Sequence, residues 1–565
     1  MRKFSYLFGT AVIAAAMCAC SDDTTSDVTA AGTETATGDV TYLNVSLAMA
    51  GSGSLTRADD GSTYEYGEEY ENAVETCTLL FYDGEGNFLA LRELDDNLIW
   101  KDNTDPNNIA STASQVVALS GLSTIPTKVL AIINGTASDY NNESLKTVLA
   151  MTVTDAPTSS STSGDFIMSN SVYVKDGAFV YAEPISDKCL FESESDAENA
   201  TEDETLTIYV EREVAKVTIN VNTKDDNDTS NTSNIENDED GTYYAKLDGT
   251  HIIWIGEDPT EYTDATFRIC IDGWAVNATN DEGYLVKNVN EDWLNDGDFI
   301  EGTWYNSSDH RTWWAKDDNY DSNKNVSYLS WQEVADNETS TDAAYYHENT
   351  ANYDVQIEYN QPGKDAYTPT LMVAAHVEVS TASDTEDFTN ILEEDDNLKN
   401  LYYKGGVYYD EAALKYYIAK EYNETNNTSV TVDEITNITI TSDDEGTCNI
   451  NGTEVDGETL DMLTDIELFV ESACYYQKPI SQDITSGDID DGEDSSAETT
   501  EYCGLVRNHS YYITLNSITG VGGNIIDKED EDGEPEIPGE ETTYYLNTEI
   551  NILQWRVVTE QEVNF

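Results

Sequence analysis

Two side chains near the N-terminus have chemistry that their surroundings single out. Arg57, in "NVSLAMAGSGSLTRADDG" (44–61), is the one basic residue between Lys3 and Arg92, so an arginine-directed protease has a single place to cut there, between Arg57 and Ala58. Cys20 ends the run "MCAC" behind the small residue Ala19, the arrangement in which a bacterial lipoprotein cysteine is diacylated once its signal peptide is removed. Cys18, behind Met17, is the poorer candidate. The remaining reactive types form no constellation. Histidines 251, 310, 347, 376 and 509 sit in no HExxH, and no GxSxG, phosphate-binding loop or dinucleotide fingerprint occurs. Acidic pairs are so frequent that a two-carboxylate glycosidase assignment would be arbitrary. Aromatic residues in "GTWYNSSDHRTWWAKDDNY" (302–320) look like a sugar-stacking platform, but packing uses the same residues. No catalytic residue is assigned, no cofactor is expected, and the chain reads as a non-enzyme.

Metal and disulfide chemistry are equally unmarked. Asp238–Asp240–Gly241 and Asp530–Asp532–Gly533 put Leu247 and Gly539 where a calcium-binding EF-hand loop needs its bidentate glutamate. Cys77, Cys189, Cys270, Cys448, Cys474 and Cys503 show neither CxxC nor zinc-type spacing, so no metal ligand is assigned. In an exported chain these cysteines pair or remain buried thiols, and sequence does not choose between the two.

Composition bounds the partners. With 111 acidic and 27 basic residues, the formal charge is −84, which repels nucleic acid and anionic membranes. A chain of 565 residues exceeds one ordinary core, and 39% hydrophobic residues suffice to build two or three. Arg2 and Lys3 precede an apolar run, Tyr6 to Met17, too short to span a bilayer and suited to a signal peptide.

The elements that must position these groups are strands. Residues 21–40 form a polar tether; from Tyr42, Leu43, Val45, Leu47 and Met49 alternate with polar or small residues, the pattern of a half-buried strand. "VETCTLLFYDGEGNFLALREL" reads as two strands about an Asp83-Gly84 turn, and "TKVLAIING" as another strand. A Glu/Asp/Ser run near 195–205 marks an expected boundary. Behind it, "TLTIYVEREVAKVTINVNT" changes phase past Val214, which predicts a bulge or a crossing between domains. One helix stands out, "DEAALKYYIAKEY", capped by Asp410. The end is an acidic Pro/Gly spacer (527–541) followed by "TTYYLNTEINILQWRVVTEQEVNF". There Tyr544, Leu546, Ile550 and Ile552 alternate and, after a slip at Leu553, so do Leu553, Trp555 and Val557. This terminal strand has no obvious neighbour within the chain, and left open it would be an aggregation hazard.

A strand before Arg57 and an unpartnered strand at the C-terminus together suggest exchange. Cutting after Arg57 frees the groove that holds Leu43, Val45, Leu47 and Met49, and a neighbour's terminal strand fills it. Before the cut, the tethered strand competes at high effective concentration. A head-to-tail contact that never closes gives a filament.

The sequence resembles the Bacteroidota fimbrillins (type V pilins), especially the major subunit of the short, Mfa-type fimbriae. The resemblance rests on "SDD" behind Cys20, "YLNVSLAMAGSGSLTRADD", "FIMSN", "VEREVAKVTINV", "DGWAVNATN", "CGLVRNHSYYITLNSITGVG" and "INILQWRVVTEQEVNF", in that order along almost the whole chain. It implies an all-β fold of two transthyretin-like β-sandwich domains with a C-terminal donor strand. It also implies export as a palmitoylated lipoprotein to the outer face of the outer membrane, cleavage at Arg57 by an Arg-specific protease, and incorporation into a fimbria that supports adhesion and biofilm formation. The implied partners are copies of itself, fimbrial anchor and tip subunits, the protease, and host or bacterial surface receptors, with membrane contact only through the precursor's lipid. The expected division is a signal peptide with lipobox (1–20), a propeptide with blocking strand (21–57), an N-terminal β-sandwich domain (58–204), a C-terminal one (205–526), the spacer (527–543) and the donor strand (544–565). An anchor subunit would lack the arginine and a tip adhesin would lack the donor strand, so the pair points to the shaft. The alternative is a surface glycan-binding β-sandwich lipoprotein, which would stay monomeric and need no terminal strand. A secreted hydrolase has no constellation in its favour.

Overall fold

In a computed structural model of the chain, the phase change past Val214 marks a change of sheet: strand Leu206–Arg212 belongs to one sheet and strand Val214–Val221 to another. The structure describes residues 41–50, 64–289, 305–317, 326–350, 369–381, 388–484, 500–528 and 546–556, apart from short stretches inside those ranges. The architecture is all-β, with many strands in several sheets and few helices.

The first large sheet is ten-stranded and runs in the order Phe88–Glu93, Cys77–Tyr82, Lys128–Ile133, Met168–Asn170, Leu206–Arg212, Thr41–Ala50, Ile109–Leu119, Trp100–Asp102, with two short strands off this path. Cys77–Tyr82 is buried at every position. Leu79 and Phe81 enter a cluster with Leu43, Leu47 and Phe166, while Leu80 and Tyr82 enter another with Leu130, Ile132, Leu285 and Val506. Two-sided burial is why this strand reads as a continuous apolar run rather than an alternating one. The expected turn at Asp83 is present: its carboxylate accepts from Glu85 N and Asn87 N, both at 2.9 Å.

A second ten-stranded sheet centres on Thr260–Asn277 and Thr370–Ser380. It faces a five-stranded sheet ordered Tyr64–Tyr66, Leu546–Arg556, His509–Ile518, Val214–Val221, Ala344–His347. Phe267, Ile269, Ile271 and Val373 from one sheet and Val217, Tyr511, Ile513 and Leu515 from the other share one core. Gly273 is required by the short helix Trp331–Asp336, since a Cβ there would stand 2.3 Å from Val334 O.

The expected helix is Glu411–Asn426, with Asp410 accepting from Ala413 N at 2.7 Å. It packs through Leu414 and Ile418 on a three-stranded sheet carrying Ile435, Cys448 and Ile450. The acidic run near 195–205 forms the short helix Glu194–Glu198, which Ser193 caps. Cys77, Cys189, Cys270, Cys448 and Cys474 are buried free thiols. Burial pushes the thiols of Cys77 and Cys474 up to about 12. Among the described residues, no helix is long and apolar enough to cross a membrane.

Candidate functional site

The first strand lies in the middle of its sheet. Thr41–Ala50 runs antiparallel to Ile109–Leu119, with Leu43 opposite Val117 and Leu47 opposite Ala113. On its other side it runs parallel to Leu206–Arg212, with Val45 opposite Leu206 and Met49 opposite Val210. Alternation then dictates which side chains enter the core. Leu43, Val45 and Leu47 are at most 1% exposed and pack with Val117, Leu119, Ile208 and Val210. Met49 is in the same strand; its side chain lies outside the described residues. On the opposite face Asn44 Nδ2 donates to Ala197 O at 3.0 Å, tying the strand to helix Glu194–Glu198.

Withdrawal of this strand would uncover two unpaired strand edges, Ile109–Leu119 and Leu206–Arg212, together with the apolar floor between them. In strand addition generally, main-chain hydrogen bonds along such edges give affinity and pockets for alternate side chains give register. Leu43, Val45 and Leu47 are therefore brought together. Cys20, Arg57, Ala58, Tyr544 and Val557 lie outside the described residues.

The terminal strand does have a neighbour, contrary to the expectation from sequence. Leu546–Arg556 pairs antiparallel with His509–Ile518, placing Leu546 opposite Ile518, Ile550 opposite Ile513 and Ile552 opposite Tyr511. Trp555 pairs with Glu65 of Tyr64–Tyr66, a parallel strand on its other edge. The reason is that His509–Ile518 buries Tyr511, Ile513, Leu515 and Ile518 yet would otherwise present an open edge. The ladder breaks between Leu515 and Ser517 rather than at Leu553.

Between the slot and the terminal strand lies a set of buried charged and polar residues that sequence reasoning did not single out. Glu211, Arg212, Glu213 and Lys216 come from "VEREVAKV", and Arg507, Asn508 and His509 from "VRNHS"; all seven are buried. Arg507 Nε pairs with Glu348 at 3.1 Å, Lys287 with Glu211 at 3.3 Å, His347 Nδ1 with Glu213 at 2.7 Å, and Lys216 with Glu71 at 3.0 Å. Asn508 Oδ1 accepts from Arg212 Nη1 at 3.0 Å, and Asn508 N donates to Val214 O at 2.8 Å. Burial raises the Glu348 carboxyl against the pull of Arg507 and Lys287. Burial disfavours charge on His347, but its hydrogen bond to Glu213 and that residue's charge prevail and hold the imidazole above its ordinary value. The legible signal was three consecutive charged residues, Glu211–Arg212–Glu213, inside an otherwise apolar alternation.

Comparison with known proteins bears on the C-terminal part. Residues 467–561 match the family model described as major fimbrial subunit protein type IV, Fimbrillin, C-terminal. No curated protein matches the sequence. Solved structures with similar folds include a candidate cell adhesion protein of Parabacteroides distasonis, at 9% identity over 92% of this chain and 98% of that one, with a TM-score of 0.35. Another is a candidate cell adhesion protein of Bacteroides eggerthii, at 10% identity over 92% and 98% of the two chains, TM-score 0.33. A third is the C-terminally truncated tip fimbrial protein Mfa3 of Porphyromonas gingivalis, at 10% identity over 91% and 100%, TM-score 0.29. The family match covers strand Glu467–Phe469 through the whole of Leu546–Arg556, and over these residues the chain resembles the fimbrillins, fimbrial subunits in family, as its motifs led one to expect.

Proposed function

We propose that the chain is the shaft subunit of a surface fimbria, polymerised by strand exchange and supporting adhesion and biofilm formation. It is exported as a lipoprotein acylated on Cys20 and held at the outer membrane until cleavage after Arg57 separates the body from its lipid. The observation that carries the reading is the place of Thr41–Ala50: a central strand, joined to the body only through the stretch that contains Arg57, with Leu43, Val45 and Leu47 in the core. Once cut, that strand is held by non-covalent contacts alone, and its loss leaves a slot of the shape a terminal strand fits. Residues 544–565 of a second copy are the proposed occupant, with Leu546, Ile550, Ile552 and Trp555 among the inserted positions. In the single chain the same strand pairs along its length with His509–Ile518 and over three residues with Tyr64–Tyr66, so exchange replaces a short second edge with a long one.

The test is electron microscopy of purified precursor before and after limited arginine-specific proteolysis. Fibres should form only after the cut, and Arg57→Ala should remain a folded, lipidated monomer. Normal fibres from Arg57→Ala would overturn the reading.

A further inference from the structure

Outside the slot and the charged junction, one cluster of side chains among the described residues has the donor set of a metal site. In the antiparallel pair Thr260–Asn277 and Thr370–Ser380, Cys270 lies directly opposite His376, and Arg268 opposite Glu378. Two-residue alternation puts these four on the face away from the core that Phe267 and Ile269 fill. Cys270 Sγ, a ring nitrogen of His376 and a carboxylate oxygen of Glu378 lie within 4.8 Å of one another. The ladder slips between Ile271 and Gly273, so Asp272 is an extra residue in its strand. A bulge of this kind re-aims a side chain. Here it sets the two carboxylate oxygens of Asp272 at 2.8 and 3.0 Å from His376 Nδ1. A carboxylate on Nδ1 fixes the tautomer that leaves Nε2 with its lone pair, the usual support of a metal-bound histidine.

We propose that Cys270, His376 and Glu378 bind one zinc-class divalent cation, with Asp272 as the residue that positions the imidazole. Thiolate with imidazole favours a borderline-soft ion over calcium or magnesium, which the acidic surface attracts through oxygen alone. Bonds of about 2.0–2.3 Å put ligand atoms roughly 3–4 Å apart, so side-chain rotation has about 1 Å to close. Binding exchanges the thiol proton of Cys270 for the metal. Without the cation, Arg268 stands in for it: Nη2 is 2.9 Å from Glu378 and 3.9 Å from Cys270 Sγ. The guanidinium also lies over the rings of Tyr244 and Phe388, at 4.1 and 4.3 Å, which hold it when the carboxylate turns to the metal. The ion would pin together the two long strands at the centre of their sheet.

The experiment adds Co2+ to reduced, chelator-treated full-length chain in excess Ca2+, followed by gel filtration and absorption spectroscopy. One equivalent of cobalt should remain bound, with a thiolate-to-cobalt charge-transfer band. Cys270→Ser should remove the band, and Asp272→Asn should weaken binding by about 10–100-fold. Arg268→Met should strengthen binding, and Cys448→Ser, a buried thiol on another sheet, should leave it unchanged. Melting curves establish that each variant is folded. If Cys270→Ser does not fold, His376→Gln provides the reading, and full-affinity binding there overturns the site. Cobalt lost on gel filtration, or a band that survives Cys270→Ser, also overturns it.

Discussion

Truncating Leu47 to alanine should loosen the first strand and leave the rest of its sheet intact. Leu47 is fully buried, flanked by Ala113 on one side and Ile208 on the other. Removing a buried leucine side chain costs about 2–5 kcal/mol. In the intact chain this lowers the stability of the whole sheet. After cleavage at Arg57, residues 41–50 belong to a separate peptide, and the same loss becomes a loss of affinity. At about 1.4 kcal/mol per tenfold, Leu47→Ala raises the peptide's dissociation constant roughly 30- to 4,000-fold. The assay is arginine-specific cleavage, gel filtration, and mass spectrometry of what stays with the body, alongside the rate of fibre growth. The parent should retain its N-terminal peptide longer, and the variant should release it and extend fibres sooner. Thr41→Ser, at the half-buried end of the strand, should change neither. Equal retention and equal growth for Leu47→Ala and the parent would refute the exchange argument at its first step.

Cys20→Ser should abolish acyl labelling and surface delivery while Cys18→Ser does not; labelling lost only with Cys18 reverses the assignment. Deleting 544–565 should leave a chain that folds, is processed at Arg57 and cannot extend a fibre, with Leu546→Asp or Ile550→Asp nearly as severe. A melting temperature lowered by tens of degrees would instead make the terminal strand a permanent part of its own subunit. For pH, His347 and His376 are both held above their ordinary value of 6.5, burial opposing the charge and the Glu213 or Asp272 carboxylate restoring it. A raised folded value gives stability that is complete below the unfolded pKa and is lost as pH rises through the folded one. The melting temperature should therefore fall as the pH rises above the ordinary imidazole value of 6.5, and His347→Gln should flatten part of that slope.

The first strand was legible because one face is apolar and the other polar: Leu43, Val45 and Leu47 alternate with Asn44, which donates to Ala197 O, and the buried Ser46. The sheet change past Val214 was legible for the same reason, since a residue that moves from one core to another must slip its alternation. The terminal strand's place was not, because periodicity gives a strand's faces and not its edges; its partner His509–Ile518 is nearby in sequence, but nothing in either stretch encodes the pairing. The helix Trp331–Asp336 has six residues and a Ser330–Glu333 capping box, too short for a helical period to emerge. The cysteine cluster escaped because its ligands come from opposed strands: Cys270 and His376 are neighbours only through the register of that pair.

The buried charges connect the slot to the strand that pairs with the terminal strand. Leu206–Arg212 is a wall of the slot and His509–Ile518 carries the terminal strand; Arg212 and Asn508 join them directly. In a filament, with the terminal strand drawn out to a neighbour, tension entering at the slot would pass through this junction to His509–Ile518 and along the chain that leads from it to that strand. Its ion pairs differ in kind from those on the surface. Glu411–Lys415, an i,i+4 pair between a half-buried lysine and an exposed glutamate, contributes about 0.3–0.5 kcal/mol, so Lys415→Met should be nearly silent. Arg507→Met strands the carboxylate of Glu348 beside Glu211 in a dry site, which costs about 3–5 kcal/mol. Because burial already lifts the Glu348 carboxyl, that residue escapes by taking a proton, so the penalty should grow as the pH rises. Adding Glu348→Gln removes the stranded charge and should recover part of the loss. Thermal unfolding of Arg507→Met, Lys415→Met and the double variant at two pH values decides the matter. If Arg507→Met costs no more than Lys415→Met, the junction is not held by its charges, and the path for tension must run through the apolar core alone.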